Sequence, residues 1–311
     1  MKSLNKYISE GLYSNLGIDR GIDLELIKDW VDLYNSIPKD RSHGAATIDT
    51  DGNVALSKPY FDLTDNRLLD KGRIPDYVHL KFSPAFECYM HICASDLTSL
   101  KGLPVDKNIC VHYNIHITDT PKLTDWTALN DNKNCSLALD VNLSGGPKTF
   151  KSLLANIETL KVYVDPSNVS VLNTIQGCVI TNVIICGDAG GAEGDFTGFF
   201  KYNLIKKSSH SGTFDSIINV SKLKLRSFNF LKDLNARSVT NLVTWPVRGG
   251  WWDHSDDVAA LYAPLFDMQT LKEIRFVCGG ADWSLGFSDF KTHYQEYKDK
   301  KILPPNAVFP R

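Results

Sequence analysis

No apolar run in this chain approaches the ~20 residues that a membrane-spanning helix needs. Neither sign of charge is in excess. The 34 Lys and Arg residues against 36 Asp and Glu leave a net charge of -2, so no global field draws the chain onto nucleic acid or an anionic membrane. The N-terminus has a lysine but no apolar core segment and no small-residue cleavage site, so no secretory signal is expected. Catalytic signatures are also missing. No C-x-x-C pair occurs, no G-K-[ST] follows the glycines at 187–198, and no G-x-G-x-x-G opens a helix after a strand. There is no G-x-S-x-G elbow, and no pair of carboxylates stands out by spacing. Neither a cofactor nor a metal is expected, and the chain reads as non-enzymatic.

The seven cysteines (Cys88, Cys93, Cys110, Cys135, Cys178, Cys186 and Cys278) are odd in number and lie mostly in strand-like apolar runs. They read as buried, reduced thiols acting as small hydrophobes, which implies a reducing compartment. A 43% hydrophobic, 23% charged composition is that of an ordinary globular chain.

What the chain does contain is a segment that repeats itself. Residues 97–103 read LTSLKGL and 123–129 read LTDWTAL, aligning Leu97 with Leu123, Leu100 with Trp126 and Leu103 with Leu129, each 26 positions apart. An alternating strand follows each copy, ICVHYNIHI at 109–117 and CSLALDVNL at 135–143, with Ile109 and Cys135 in the same 26-residue register. Such a period predicts stacked turns, each leaving an apolar face that the next one covers. Further strands are predicted at 77–82, 86–93, 160–165, 179–186, 221–228, 239–245 and 271–278.

Ahead of the repeat, Leu4, Ile8, Leu12 and Leu16 predict one amphipathic helix. A second is predicted over 22–37, with Ile22, Leu26, Trp30, Leu33, Tyr34 and Ile37 on its face and Pro38 as its stop. Residues 46–56 predict a hairpin around Asp51-Gly52. The glycine-rich stretch 187–213 reads as a protruding insertion. Residues 288–300 predict a polar helix that would cover the last turn. The organisation is therefore a helical segment over 1–45, a hairpin with entry strands over 46–94, a repeat over 95–280 with its insertion at 187–213, and a cap and tail over 281–311.

The L-x-x-L-x-x-L rhythm followed by a strand, clearest over 95–165 and looser to 278, resembles a divergent leucine-rich repeat. The asparagine or cysteine that the family sets after each strand is absent or displaced, and the copies are unequal. The resemblance implies an α/β fold, an irregular leucine-rich-repeat-like solenoid with an N-terminal helical segment and a C-terminal helical cap. A second resemblance lies in Met1-Lys2-Ser3 followed by Tyr7-Ile8-Ser9-Glu10. This opening is similar to the capsid-targeting tag of internal head proteins of T-even-like phages, and it implies cleavage between Glu10 and Gly11.

His112 and His116 have a zinc-like spacing, but in a strand four residues span roughly 13 Å, too far for one metal ion. In the alternation, Ile109, Val111, Tyr113, Ile115 and Ile117 point inward. The outward residues stack into a polar ladder: His112, Asn114 and His116, then Asp140 and Asn142, then Lys161 and Tyr163. In stacked-repeat proteins such a ladder forms a ligand-facing wall. Near the end, Arg248, Trp251, Trp252 and His254 form an aromatic, basic loop of the composition found at interface hot spots.

The expected function is non-enzymatic protein binding by a phage-encoded repeat protein. It would be virion-associated or bind a host factor, in the bacterial cytoplasm or the virion, with a host or virion protein as partner and without nucleic acid or membrane. The alternatives are an enzyme whose site gathers around the 248–257 loop and a structural virion subunit.

Overall fold

The computed structural model describes residues 24–38, 44–105, 110–130, 132, 135–187 and 197–205, together with the backbone of strands at 216–219, 239–244, 273–278 and 281–286. Helix α1 (Leu24–Ser36) buries Ile27, Trp30, Val31 and Tyr34, the 3.6-residue spacing of one apolar face. Leu26, expected on that face, is 44% exposed. It lies about 100° round the axis from Ile27, which takes its place. Trp30 stacks on Tyr34 and Tyr34 on Phe61, at centroid separations of 5.3 and 5.8 Å. The Trp30 indole N–H donates to the Leu68 carbonyl at 2.9 Å, so the ring's one polar group is paired although buried. The helix predicted over residues 1–16 lies outside the described residues.

Strands β1 (Ala46–Ile48) and β2 (Val54–Leu56) form the predicted hairpin, with Gly52 at φ 77° in its turn. Strand β2 also pairs in parallel with β4 (Leu80–Phe82), completing a three-stranded sheet.

The main sheet is mostly parallel. Its strands β3 (Tyr60–Leu63), β5 (Ala85–Ile92), β6 (Cys110–Ile117), β7 (Ser136–Asn142), β8 (Asn156–Val164) and β9 (Val179–Gly187) lie side by side in chain order. Strands β11 (Ser216–Asn219), β12 (Val239–Thr244) and β13 (Glu273–Cys278) continue it, and β14 (Ala281–Gly286) closes it antiparallel to β13. The sheet thus begins before residue 95 and runs into the segment expected to be the cap. The predicted strand over 221–228 and helix over 288–300 lie outside the described residues.

Along β5, β6 and β7, and over most of β8 and β9, alternate residues are buried, as the pattern predicts. Two inward rows run across the sheet in register: Phe61, Met90, Ile115, Leu139, Leu160 and Val183, and beside it Leu63, Ile92, Ile117, Val141, Val162 and Ile185. They pack against the turns that link the strands. There Leu97, Leu100 and Leu103 are buried, and so are Leu123, Trp126 and Leu129. Trp126 stacks on Phe150 at 4.6 Å and donates its indole N–H to the Thr149 carbonyl.

The 26-residue period holds in the turns. The Thr98 N–H donates to the Gly72 carbonyl, and the N–H groups of Thr124 and Asp125 donate to the Thr98 carbonyl. Lys122 pairs with Asp96 at 2.5 Å, and the Trp126 N–H donates to the Ser152 hydroxyl. In the strands the period does not hold. Tyr113 pairs with Leu137 and Ile115 with Leu139, so the expected Ile109–Cys135 register is two residues out. The link from Leu129 to Leu139 is two residues shorter than that from Leu103 to Ile115, so strand and turn drift apart.

Side-chain amides fasten one turn to the next. The Asn130 amide accepts from the Leu154 N–H and donates to the Ser152 carbonyl. Asn132 accepts from the Asn156 N–H and donates to the Asn156 carbonyl. The Asn173 carbonyl oxygen accepts from the Phe199 N–H. Part of the segment expected to protrude is built into this layer. Helix α2 (Thr197–Tyr202) buries Phe199 and Phe200, and β10 (Leu204–Ile205) pairs with the start of β9. Between them, fully buried Asn203 accepts from the Cys178 N–H and donates to the carbonyls of Ile175 and Phe199. Asn203→Ala leaves these three backbone groups without a partner and is expected to cost about 2–3 kcal/mol. Urea unfolding checks this, and an unchanged midpoint would contradict the assignment.

Candidate functional site

The outward face of β3 to β9 carries four polar rows, one of them the short row Glu87, His112 and Ser136. In the first, register aligns Asp62, His91, His116, Asp140 and Lys161 across five successive strands. Its ends are ion-paired. His91 Nδ1 lies 3.6 Å from Asp62 Oδ1, and Lys161 Nζ lies 3.0 Å from Asp140 Oδ2. The His91 and His116 rings meet at 5.4 Å between centroids. The second row runs through Tyr60, Tyr89, Asn114, Ala138, Thr159 and Asn182, with Tyr60 stacked on Tyr89 at 6.5 Å. The third aligns Asn142, Tyr163 and Cys186.

The first two rows line one concavity of about 580 Å³. It forms because the second row falls from two tyrosine rings to the methyl of Ala138. Asn114 donates to Glu87 at 2.6 Å, and Glu87 also holds the Tyr89 hydroxyl pKa up through a hydrogen bond. Asp140 Oδ1 is buried and makes no hydrogen bond among the described residues, and the same holds for Asn182 Oδ1. Lys161 is pushed above its usual range by its contact with Tyr163 and then by Asp140, against the opposing effect of partial burial. Its ammonium sits 4.6 Å from the centre of the Tyr163 ring, a cation–π distance.

The predicted ladder is thus partly reassembled. His116, Asp140 and Lys161 share one row, and Asn114 lies in the next. Asn142 instead accepts from the Ser144 N–H in the turn that follows β7. His112 lies in a different row, level with Glu87 and Ser136, its ring 4.7 Å from that of Phe86. Val111, expected inward, is 47% exposed. Cys110 turns inward and its thiol donates to the His112 carbonyl, so Val111 and His112 face out in succession. Arg248, Trp251, Trp252 and His254, like Glu10 and Gly11, lie outside the described residues. The ladder as expected starts two strands too late, at β6, and so omits Asp62 and Tyr60 of β3 and Glu87, Tyr89 and His91 of β5. Their signal is the alternation of Glu87, Tyr89 and His91 with Cys88, Met90 and Ile92.

The core thiols are chemically quiet. Burial pushes Cys88 up to about 12 and Cys178 up to about 11. Among the described residues, no three or more His, Cys, Asp or Glu side chains are placed to hold a metal ion. No helix there is long and apolar enough to cross a membrane.

No protein-family model, curated protein or solved structure matches this chain.

His91 gives the site a pH signature. The Asp62 carboxylate raises its pKa above the ordinary 6.5, against the lowering effect of partial burial. A raised folded-state value means that the pair's contribution is complete below pH 6.5 and is lost as pH rises through the higher, folded value. Asp62→Asn is expected to lower the His91 midpoint in an NMR titration and to remove that part of the pH dependence of stability. An unshifted midpoint would show that the pair does not set the titration.

Proposed function

We propose that this chain is a non-enzymatic protein-binding repeat protein, built as an irregular leucine-rich-repeat-like solenoid, whose partner docks on the outward face of the parallel sheet. The solenoid reading is supported by parallel strands that advance one position at a time in chain order and by turns that bond to each other at 26-residue steps. The helical cap belongs to the same reading, as the element that would cover the last turn.

The observation that carries the binding reading is the exposure of Phe86, Tyr89 and Tyr163 on a face whose central row is paired, Asp62 with His91 and Asp140 with Lys161. Phe86 is 71% exposed, and level with it on the next strand is Val111. Large apolar side chains gathered round a polar row have the make-up of an interface, with aromatic anchors and a hydrogen-bonding surround. The paired row supplies orientation and selectivity rather than net attraction.

A photo-crosslinking residue placed at Phe86 or Tyr163 is expected to trap one discrete partner, identified by mass spectrometry. The same probe at Leu154, exposed on the turn layer, traps none. Phe86→Ser should then weaken that partner by roughly 30-fold, about 2 kcal/mol. Equal labelling from both faces contradicts the reading.

The phage assignment rests on the opening residues. Coexpression with a prohead protease of the tag's family is expected to yield a chain beginning at Gly11, read by intact mass. A chain that stays whole counts against it.

A further inference from the structure

We infer that the concavity on the sheet face is a saccharide subsite for a neutral mono- or disaccharide, stacked against Tyr89 and hydrogen-bonded along the row His91, His116, Asp140 and Lys161. This goes beyond the protein-binding reading; the two share Tyr89 and the paired row, and Ala138 belongs to this one alone. Phe86 and Val111 lie further along the strands, level with residues 85–87 and 110–112, and do not line the concavity.

The first argument is shape. One face of Tyr89 is taken by Tyr60, and the row then drops to Asn114, Ala138 and Thr159. The open space therefore continues the ring stack with an empty position of about 580 Å³, within the range of small-ligand sites. Its natural occupant is a ring with an apolar face.

The second argument is the kind of polar group on the wall. Lys161 is ion-paired with Asp140 and His91 faces Asp62, so the row has no free cation with which to select an anion. What it retains is hydrogen-bonding capacity of both kinds. Among the described residues Asp140 Oδ1 is a buried acceptor with no hydrogen-bond partner, which is costly until a donor reaches it. The Lys161 ammonium has three N–H donors, of which Asp140 and Tyr163 engage two, and each imidazole offers a donor or an acceptor. Adjacent strands set these groups about 4.8 Å apart in a rigid line. A ligand that suits such a line carries neighbouring groups able both to donate and to accept, on the rim of a ring with an apolar face. Neutral sugars have that chemistry. A phosphate-bearing ligand finds no unpaired cation, and a cationic one meets Lys161.

The test is calorimetric titration of the full chain with the methyl glycosides of glucose, galactose, mannose and N-acetylglucosamine, with adenosine as the competing flat ring. Wild type is expected to bind at least one sugar with a dissociation constant on the order of 1 mM. Ala138→Leu, which fills the concavity from an outward position, and Tyr89→Ala should each weaken it at least tenfold, with unchanged circular dichroism melting. Binding of none of the sugars, sugar binding that ignores both variants, or binding of adenosine in their place overturns the inference. The partner trapped at Phe86 provides the separation. If Ala138→Leu loses the sugar and keeps the partner, both readings stand. If wild type binds no sugar and still traps the partner, only this one falls.

Discussion

A parallel sheet built in chain order makes one demand on everything else in this protein: each connection must run back behind the sheet, inside the structure, with its backbone polar groups satisfied. Strands satisfy their own through the ladder. The turns have no such ladder, because their backbone follows no regular pattern and is only partly open to water. Here the neighbouring turn supplies the partners. The Thr98 carbonyl receives two N–H groups from residues 26 and 27 positions later, and the amides of Asn130, Asn132 and Asn203 each bond backbone groups of an adjacent turn. The apolar rows then fill the space between the two layers, and α1 covers the first strand through Tyr34 on Phe61.

The functional face is a by-product of the same geometry. Because strands advance one position at a time, residues about 21–29 apart in sequence become neighbours in a row. Asp62, His91, His116, Asp140 and Lys161 come from five different strands yet form a continuous line. A single small residue, Ala138, at the centre of the adjoining row is enough to open a concavity there. Rigid strands hold this arrangement in place. The described residues show ion pairs and aromatic rings on an open face, and thiols held protonated by burial.

Much of this was legible in the sequence. Alternation in 109–117 and 135–143 gave the strands and, with one exception, their inward faces. The Leu97/Leu123 and Leu100/Trp126 matches gave the stacked turns. Three things were hidden, each for a physical reason. Strand register depends on the length of the link, and a two-residue difference between copies is invisible when only the turn is aligned. The outward turn of Val111 depends on the inward bond of Cys110, a local choice that alternation does not encode. The amide stitches were missed because asparagine was sought after each strand, whereas Asn130, Asn132 and Asn203 sit in the turns. Of the candidate site, His116, Asp140 and Lys161 were identified from spacing, while the half contributed by β3 and β5 was overlooked because those strands precede the recognisable repeat.

The central claim is that the side-chain amides of one turn hold the backbone of the next. Native-state hydrogen exchange by NMR tests it at single groups, comparing wild type with Asn130→Ala and Asn132→Ala at the N–H groups of Leu154 and Asn156. The account predicts that Leu154 loses protection in the first variant and Asn156 in the second, while the amides of β7 and β8 keep theirs. Unchanged protection at both positions would contradict it, and the turns would then be held by packing alone.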